Sequence, residues 1–438
     1  MHQATIILFF AFALRLINLF FNNLDINTYL TEDQLMYWDW SINKAYTLNS
    51  IENKTELLER MPASFLLFQF SIWLLGENLF SILLIQIFID SINCLIIAYI
   101  AKSLNKKLFF LAGILASISP LMIIISSQIL SDTIFLFFFS CYIYFFLNFL
   151  LNKNKNFFYY AGVFLGLSLF TRVTVLPLIF ITLIISIYIF YKNKIKELKI
   201  VRLTFTFLFI SFSLSFPRIF YNYITYNTTS LTSQSGAHFA YWLVPGVLDF
   251  ENNTKKLNYK KKIQQIEKKL EKETNPFINS SILKEEAFDT LFSLSKKSIF
   301  FAWSKGAIYN TFSPSILLDK RIRSLPHPSF YENNRNLKQW LTKLFFDDAF
   351  AIYKLTFVFS VLTSGIFLVL LFFGILISFK NYFSQSLIFY LITLYFFVLT
   401  GPVFSPKYIH PILPFFIFFE SLAVLKIREF FLQFFKKA

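Results

Sequence analysis

The sequence predicts an all-α polytopic membrane protein, and three observations support this fold class. Of the 438 residues, 56% are hydrophobic and only 15% are charged, so the chain holds more apolar surface than a soluble domain of this length buries. Several windows of mostly apolar residues approach the length of about 20 residues that a transmembrane helix needs. Basic residues recur in the short segments between alternate windows, as they do in cytoplasmic loops.

The apolar windows predict about ten transmembrane helices. They lie at residues 4–21, 79–101, 109–127, 132–151, 157–171, 173–191, 203–221, 352–379, 386–404 and 408–425. The window 157–171 is short and leads directly into the next one. Residues 63–75 form a shorter apolar stretch, which is better interpreted as an interfacial or re-entrant helix than as a span.

The basic residues of the short loops predict the orientation of the chain. With the N-terminus in the cytoplasm, these loops all fall on the cytoplasmic side, and two longer loops lie outside. The predicted organisation is therefore an N-terminal transmembrane module, 1–221, with a helical first outer loop, 22–62. A large non-cytoplasmic loop with amphipathic helices, 222–351, precedes the last three spans and a basic tail, 352–438.

Two stretches of the large outer loop are predicted to be helical. Residues 260–272 are rich in lysine, with Ile263, Ile266 and Leu270 on one side. A solvated surface helix is the expectation there, with a site for an acidic ligand as the alternative. Residues 285–303 indicate a helix in the membrane interface. The formal net charge of +16 is scattered over the loops, which favours lipid phosphates over nucleic acid as a partner.

The first outer loop holds the densest group of acids. Glu32 and Asp33 begin a predicted helix on which Asp33 and Tyr37 share a face. A carboxylate held there can act as a general base, although the acids could equally cap a surface helix that starts after Thr31. Later in the loop, Arg60 precedes Pro62 at a predicted helix N-terminus, where anions are attracted.

Ionisable side chains at membrane depth are expensive and are therefore candidates for function. The predicted topology brings five of them near one membrane surface, namely Asp33, Arg60, Asp132, Arg172 and Lys407. Each of these cations could also simply reach from a span end to the interface. Arg15 and Asp90 differ because they fall inside spans, so they are interpreted as buried structural groups.

Short motifs follow one another in a specific order along the chain: Asp33-Gln34 with Tyr37, Arg60-Met61-Pro62, Ser131-Asp132, Thr171-Arg172, Pro217-Arg218, Ser233-Gln234-Ser235-Gly236 and Ser405-Pro406-Lys407-Tyr408. In this order they resemble the C-type glycosyltransferases that use a lipid carrier. Bacterial protein mannosyltransferase-like and lipid A aminoarabinose transferase-like enzymes are similar. Gln34 replaces the usual second acid of the family, which leaves open whether Glu32 substitutes, and Lys407 replaces an arginine.

The resemblance implies that a sugar moves from a polyprenyl-phosphate donor to a lipid, glycan or protein acceptor by inverting direct displacement. It implies a bacterial inner membrane protein with its site facing the periplasm. The implied catalytic residues are Asp33 as general base, with Glu32 and Asp132. The implied donor phosphate-binding residues are Arg60, Arg172, Lys407 and Tyr408, and the substrate-binding residues are Tyr37, Glu59, Gln34, Arg218 and Ser233.

Two other function classes stay open at this point. A polytopic transporter or lipid-carrier flippase would also need many spans and intramembrane charges. A catalytically inactive scaffold is compatible with Gln34. The histidines His2, His238, His327 and His410 are dispersed and form no metal-binding spacing, so no metal site is predicted and a need for a divalent cation is left open.

Overall fold

All regular secondary structure is helical in the computed structural model, which describes residues 2–22, 24–43, 55–271, 273–329 and 336–437. Within this part of the chain, seven helices are long and apolar enough to cross a membrane, and up to nine spans result if each of two bent helix pairs counts as one. The predicted fold class, an all-α polytopic membrane protein, is confirmed. The count of ten spans stays a prediction.

The N-terminal module contains twelve α-helices among the described residues. They are α1 (His2–Phe20), α2 (Ile26–Tyr29), α3 (Glu32–Ile42), α4 (Ala63–Leu75), α5 (Leu79–Leu104), α6 (Leu108–Ile118), α7 (Pro120–Ser126), α8 (Asp132–Asn152), α9 (Lys155–Thr171), α10 (Leu176–Lys192), α11 (Glu197–Phe212) and α12 (Phe216–Tyr226). Single-turn 3-10 helices lie at Thr55–Glu59 and Val173–Val175. Helix α4 has 13 residues, as the short apolar stretch predicts.

Two of the predicted spans are broken helices. Helices α6 and α7 meet at 55°, because Ser119 precedes Pro120 and takes an extended conformation with ψ of 115°. Helices α11 and α12 meet at 69°, and Pro217 lies in the first turn of α12. Helix α9 has 17 residues, which is at the lower limit for a span. These three elements account for the difference between ten predicted windows and seven long helices.

The large outer loop folds into α-helices of 4 to 18 residues, together with a π-helix and a 3-10 helix. They are α13 (Ser235–His238), the π-helix Phe239–Leu243, α14 (Val244–Leu248), α15 (Asn253–Leu270), α16 (Pro276–Ser293), α17 (Lys296–Phe312), the 3-10 helix Ser315–Leu318, α18 (Lys320–Arg323) and α19 (Leu337–Phe346). The lysine-rich helix is confirmed as α15, with Ile263 buried; Lys272 lies outside the described residues. A single helix over 285–303 is wrong, because Ser295 caps the start of α17 by accepting a hydrogen bond from the Ser298 amide.

The C-terminal part consists of three long helices with a 3-10 helix between the last two. They are α20 (Ala351–Asn381), α21 (Phe383–Thr400), the 3-10 helix Pro406–Ile412 and α22 (Leu413–Lys437), and a further 3-10 turn, Asp348–Phe350, precedes α20. Gly374 of α20 lies against α22, where an added Cβ would come within 1.8 Å of the Phe419 carbonyl oxygen. A residue without a side chain is therefore required for this close packing.

The apolar core has three parts. The largest runs through α5, α6, α8, α9 and α22. A second lies beneath the first outer loop, where the ring of Tyr37 stacks on Phe65 of α4 with a centroid distance of 4.8 Å and meets Phe68 edge-on. The third joins α14, α15, α16 and α17 in the outer loop. The second part fixes α3 on α4 and so positions the acids of the first outer loop.

Arg15 and Asp90 form an ion pair that is fully buried between α1 and α5. Arg15 Nε lies 2.6 Å from Asp90 Oδ2, and neither side chain has exposed surface. The guanidinium also donates to the carbonyl oxygens of Ala11 and Ser117. The interpretation of Arg15 and Asp90 as buried structural groups is confirmed, and the pair ties the first span to the second.

Candidate functional site

Asp33 and Arg60 meet at the surface of the first outer loop. Asp33 lies in the first turn of α3, one turn before the buried Tyr37, and its side chain is 52% exposed. The chain returns through the 3-10 helix Thr55–Glu59, so that Arg60 Nη2 comes within 3.5 Å of Asp33 Oδ1. An exposed acid and a half-buried cation therefore share one surface.

The large outer loop contacts the same arginine. With the amide of Gln234 turned so that its oxygen faces the guanidinium, this oxygen accepts hydrogen bonds from Nη1 and Nη2 of Arg60 at 3.2 Å. The backbone N–H of Ser233 donates to the Leu58 carbonyl at 3.0 Å. These contacts join the start of α13 to the first outer loop, and Arg60 is contacted by both Asp33 and Gln234.

Asp132 and Arg172 form a second acid–cation pair at the ends of two other helices. Asp132 begins α8, and Arg172 follows α9 in an extended conformation that turns its side chain out of the helix. Arg172 Nη2 lies 2.5 Å from Asp132 Oδ2, and Nε donates to Ser131 Oγ at 3.0 Å. The Asp132 side chain is only 5% exposed, so Arg172 supplies the counter-charge that burial requires.

Side chains of the 3-10 helix Pro406–Ile412 lie within electrostatic range of the two acid–cation pairs. The hydroxyl of Tyr408 interacts electrostatically with Asp132 and Arg172 and also with Asp33 and Arg60. The carboxylate of Asp132 interacts electrostatically with Lys407 and His410 as well as with Arg172. Because a 3-10 helix repeats every three residues, Lys407 and His410 lie on one face of it. We call Asp33, Arg60, Asp132, Arg172, Lys407 and Tyr408 the outer charge cluster.

Other predicted site residues lie outside this cluster in structural positions. Gln34 is buried; its Oε1 accepts from the Ile129 amide at 3.1 Å and its Nε2 donates to Thr31 Oγ1 at 3.0 Å. It therefore ties α3 to the turn before α8. Tyr37 is buried in the aromatic contact with Phe65. Glu32 begins α3, but its side chain lies outside the described part of the chain.

Three further predicted residues are distributed around the first outer loop. Arg218 is buried and donates to the carbonyl oxygens of Leu57 and Leu231, so it supports the loop backbone. Ser233 is buried beside Gln234, and its hydroxyl has no hydrogen-bond partner among the described residues. Glu59 is half-buried next to Arg60.

Three residues of this region were not predicted as site residues. Gln234 contacts Arg60, Ser131 accepts from Arg172, and the ring of His410 is buried against the charges of Asp132 and Arg172. Gln234 and Ser131 are direct sequence neighbours of the predicted Ser233 and Asp132. Only the backbone conformation decides which neighbour faces the site, and the 3-10 helix that aligns His410 with Lys407 has no strong sequence signal.

No group of three or more His, Cys, Asp or Glu side chains in the described ranges is arranged to hold a metal ion. The outer charge cluster itself offers carboxylates, guanidinium groups, an ammonium group and a phenol. Carboxylates can accept protons, and guanidinium groups bind phosphate oxygens with paired hydrogen bonds.

Comparison with known proteins gives a match over the N-terminal module. A family model described as dolichyl-phosphate-mannose-protein mannosyltransferase matches residues 59–221. The matched stretch includes Arg60, Asp132 and Arg172, whereas Asp33 and Lys407 lie outside it. The predicted resemblance to C-type glycosyltransferases is confirmed, and the match supports a membrane glycosyltransferase.

Among solved structures, the chain is similar to the crystal structure of ArnT from Cupriavidus metallidurans in the apo state. The two share 12% sequence identity with a TM-score of 0.38, over 94% of this chain and 76% of that chain. The search of curated proteins gives no match.

Proposed function

We propose that this chain transfers a sugar from a polyprenyl-phosphate donor to an acceptor on the non-cytoplasmic side of a membrane. The observation that carries the proposal is the outer charge cluster, in which two acid–cation pairs, Asp33–Arg60 and Asp132–Arg172, both interact with Tyr408. Glycosyl transfer from a lipid phosphate needs a proton acceptor and several cations at one membrane surface, and this cluster contains both. The family match over residues 59–221 supports the same reaction class.

Asp33 is the proposed general base. The acceptor hydroxyl oxygen forms a bond to the anomeric carbon as the bond from that carbon to the phosphate oxygen breaks, with inversion at this carbon. The hydroxyl proton passes to the carboxylate of Asp33, and polyprenyl phosphate leaves with the bonding electron pair. The side chain is half-exposed, so an acceptor can reach it from outside without rearrangement of α3.

Arg60, Arg172 and Lys407 are the proposed ligands of the leaving phosphate. A phosphate monoester gains negative charge as it departs, and preorganised cations at a partly dehydrated surface stabilise this charge. Each guanidinium already uses part of its donors on a carboxylate, yet a guanidinium has five N–H donors, so it can bridge a carboxylate and a phosphate. Tyr408, which interacts electrostatically with both pairs, has a hydroxyl that can donate to the same phosphate.

Asp132 has a different proposed role from Asp33. Its side chain is almost fully buried and bound by Arg172. A carboxylate held in this way is less available as a proton acceptor and better suited to orient Arg172 and the acceptor. The polyprenyl chain would lie in a groove at the surface of the long helices, where many Phe and Leu side chains are exposed. A bacterial inner membrane with the cluster facing the periplasm is the proposed setting.

Reconstituted transfer tests the proposal. Purified protein in proteoliposomes is given a polyprenyl-phosphate sugar with a radiolabelled sugar and a membrane extract as the source of acceptor. We expect label in a product that is no longer cleaved by the mild acid that hydrolyses the donor, together with release of unlabelled polyprenyl phosphate. Movement of intact donor across the bilayer, without any new product, would instead indicate a transporter or flippase.

A further inference from the structure

A cleft lies in the outer loop between the π-helix Phe239–Leu243 and α15. Its volume is about 320 Å³, which is in the range of small-molecule binding sites. The polar groups that line it come from both walls and include Tyr241, Lys256, Lys260, Gln264 and Glu267. The cleft lies outside residues 59–221, the stretch that the family model matches.

The wall formed by the π-helix has an unusual backbone. The N–H of Val244 donates to the carbonyl of Phe239, five residues earlier, and the carbonyl of Ala240 accepts from the hydroxyl of Tyr259 on α15 at 3.0 Å. Single π-turns are rare and occur frequently at functional sites. Here the turn places the next residue, Tyr241, at the cleft, where its hydroxyl donates to Glu267 Oε1 at 2.8 Å.

The cleft is lined by aromatic and apolar side chains and by a few polar groups, a lining that can bind a sugar. An aromatic ring can pack on the C–H face of a sugar, and the amide of Gln264 and the carboxylate of Glu267 can bind hydroxyl groups. The hydroxyl of Tyr241 donates a hydrogen bond to Glu267 and so fixes this carboxylate at the cleft. Helix α15 carries seven lysines against one glutamate.

Two of these lysines line the cleft. Lys256 is paired with Asp249, whereas Lys260 is exposed and forms no ion pair with any residue in the described ranges. An unpaired ammonium group beside sugar-binding groups favours a carboxylate or phosphate on the ligand.

The cleft is connected to the outer charge cluster by the backbone and by one packing contact. The helical segment that forms its wall follows Gln234, whose oxygen accepts from Arg60. Tyr241 lies seven positions after Gln234, which corresponds to about 10 Å along a helix axis. Gly246 of the same segment packs against Pro402, where an added Cβ would come within 2.9 Å of the proline ring. Pro402 precedes the 3-10 helix that carries Lys407 and Tyr408.

We propose that this cleft binds an anionic saccharide of the acceptor, one that carries a carboxylate or a phosphate group. The proposal rests on the transferase function proposed above, because it identifies the cleft as the place where the acceptor is held beside the outer charge cluster. It names the acceptor class as a charged glycan. Two other ligands are separate outcomes of the test. One is a neutral glycan, and the other is an anionic membrane surface that the whole lysine-rich helix attracts.

Binding without donor tests the proposal. Full-length protein in a neutral detergent is titrated by calorimetry with tetragalacturonate, with a phosphorylated maltotetraose and with neutral maltotetraose. We expect the two anionic saccharides to bind and the neutral one to bind at least tenfold more weakly. The variant Lys260→Ala should weaken anionic saccharide binding about tenfold, as loss of one charge-assisted hydrogen bond does. Because both groups are exposed, Lys269→Ala on the same helix is the matched control and should bind normally.

The results separate this proposal from the proposed function. Equal binding of neutral and anionic saccharides, or no saccharide binding, would overturn the assignment of the cleft even if transfer is observed. An equal loss in Lys260→Ala and Lys269→Ala would also overturn it, because the charge of α15 as a whole would then be responsible. If transfer is observed, Lys260→Ala should raise the KM for the acceptor and leave kcat unchanged, since it removes binding and not chemistry.

Discussion

Arg60 Nη2 lies 3.5 Å from Asp33 Oδ1, so the proposed base of the reaction is in contact with a proposed ligand of the leaving phosphate. The same guanidinium donates to the side-chain oxygen of Gln234 in the large outer loop. Arg60 is thus positioned by both outer loops before any substrate arrives. A donor phosphate that binds Arg60 therefore lies close to the carboxylate that would take the proton of the acceptor.

The first prediction concerns Asp33. The variant Asp33→Asn keeps the size of the side chain and removes its ability to take a proton, so we expect kcat to fall by about 10²–10⁴-fold, the usual contribution of a general base. Initial rates of labelled product formation in proteoliposomes measure the effect. Asp39→Asn is the matched control, because Asp39 is an exposed acid on the same helix, α3. Undiminished turnover of Asp33→Asn would remove this residue from the mechanism.

The second prediction concerns Arg172, which binds Ser131 through Nε and Asp132 through Nη2. Lysine keeps the charge but lacks the planar fork of donors by which the guanidinium binds both groups at once. We therefore expect Arg172→Lys to lower kcat/KM for the donor by about 10²-fold, as loss of one preorganised donor does. Arg202→Lys, at an exposed position of α11, is the control. Full activity of Arg172→Lys would mean that charge alone, without directed hydrogen bonds, is sufficient at this position.

The sequence predicted the membrane class and most of the helices because apolar length and loop charge are local properties. The broken helices show the limit of this approach. The 109–127 window appears continuous by composition, yet Pro120 forces Ser119 out of the helix and the two halves diverge by 55°. The single helix over 285–303 failed for a similar reason, since the cap at Ser295 was hidden among residues of suitable composition.

The sequence predicted that the site residues lie at helix ends on one side of the membrane. It did not predict which acid pairs with which cation. Nothing in the order of residues indicates that Asp33 contacts Arg60 and that Asp132 contacts Arg172. Gln34 shows the same limit, because it was predicted as a substrate-binding residue but does not face the site. It adjoins Asp33 in sequence, but one step along a helix is a rotation of about 100°, so it faces the protein interior.

The third prediction concerns the buried ion pair of Arg15 and Asp90. Replacing one partner alone leaves a charge buried without compensation, which costs about 3–5 kcal/mol of unfolding free energy. We expect Arg15→Met and Asp90→Leu each to be strongly destabilised, and the double variant to regain most of the loss. Equilibrium unfolding in mixed micelles measures all three. A double variant as unstable as the sum of the single variants would show that the pair contributes no coupling.

The fourth prediction concerns Glu251, which joins α15 to α17. Its carboxylate accepts hydrogen bonds from Lys255 Nζ and from the Ser295 amide, each at 3.0 Å. These bonds, the one from Lys255 first, lower the pKa of Glu251 to about 2. Because the pKa is lower in the folded state, the stabilisation is complete above the unfolded pKa of about 4.3 and is lost as the pH falls toward the folded value.

The variant Glu251→Gln tests this linkage. We expect its Tm to lie below that of the wild type at pH 7, and the difference to shrink steadily between about pH 4.3 and pH 3. Glu285→Gln removes an exposed carboxylate in the neighbouring helix α16 and serves as the control. A difference in Tm that is independent of pH over this range would mean that the charge of Glu251 does not stabilise the loop.

The fifth prediction concerns the orientation on which the periplasmic assignment depends. The native cysteines, Cys94 and Cys141, are both buried, so a cysteine introduced at an exposed position can be labelled selectively. We expect a membrane-impermeant maleimide applied to intact cells to label Lys269→Cys in the large outer loop and to leave Lys196→Cys unlabelled until the membrane is permeabilised. The unsubstituted protein controls for background. The reverse pattern would place Asp33 and Arg172 on the cytoplasmic side. The sugar of the donor would then have to lie at the cytoplasmic leaflet, and the periplasmic assignment would be wrong.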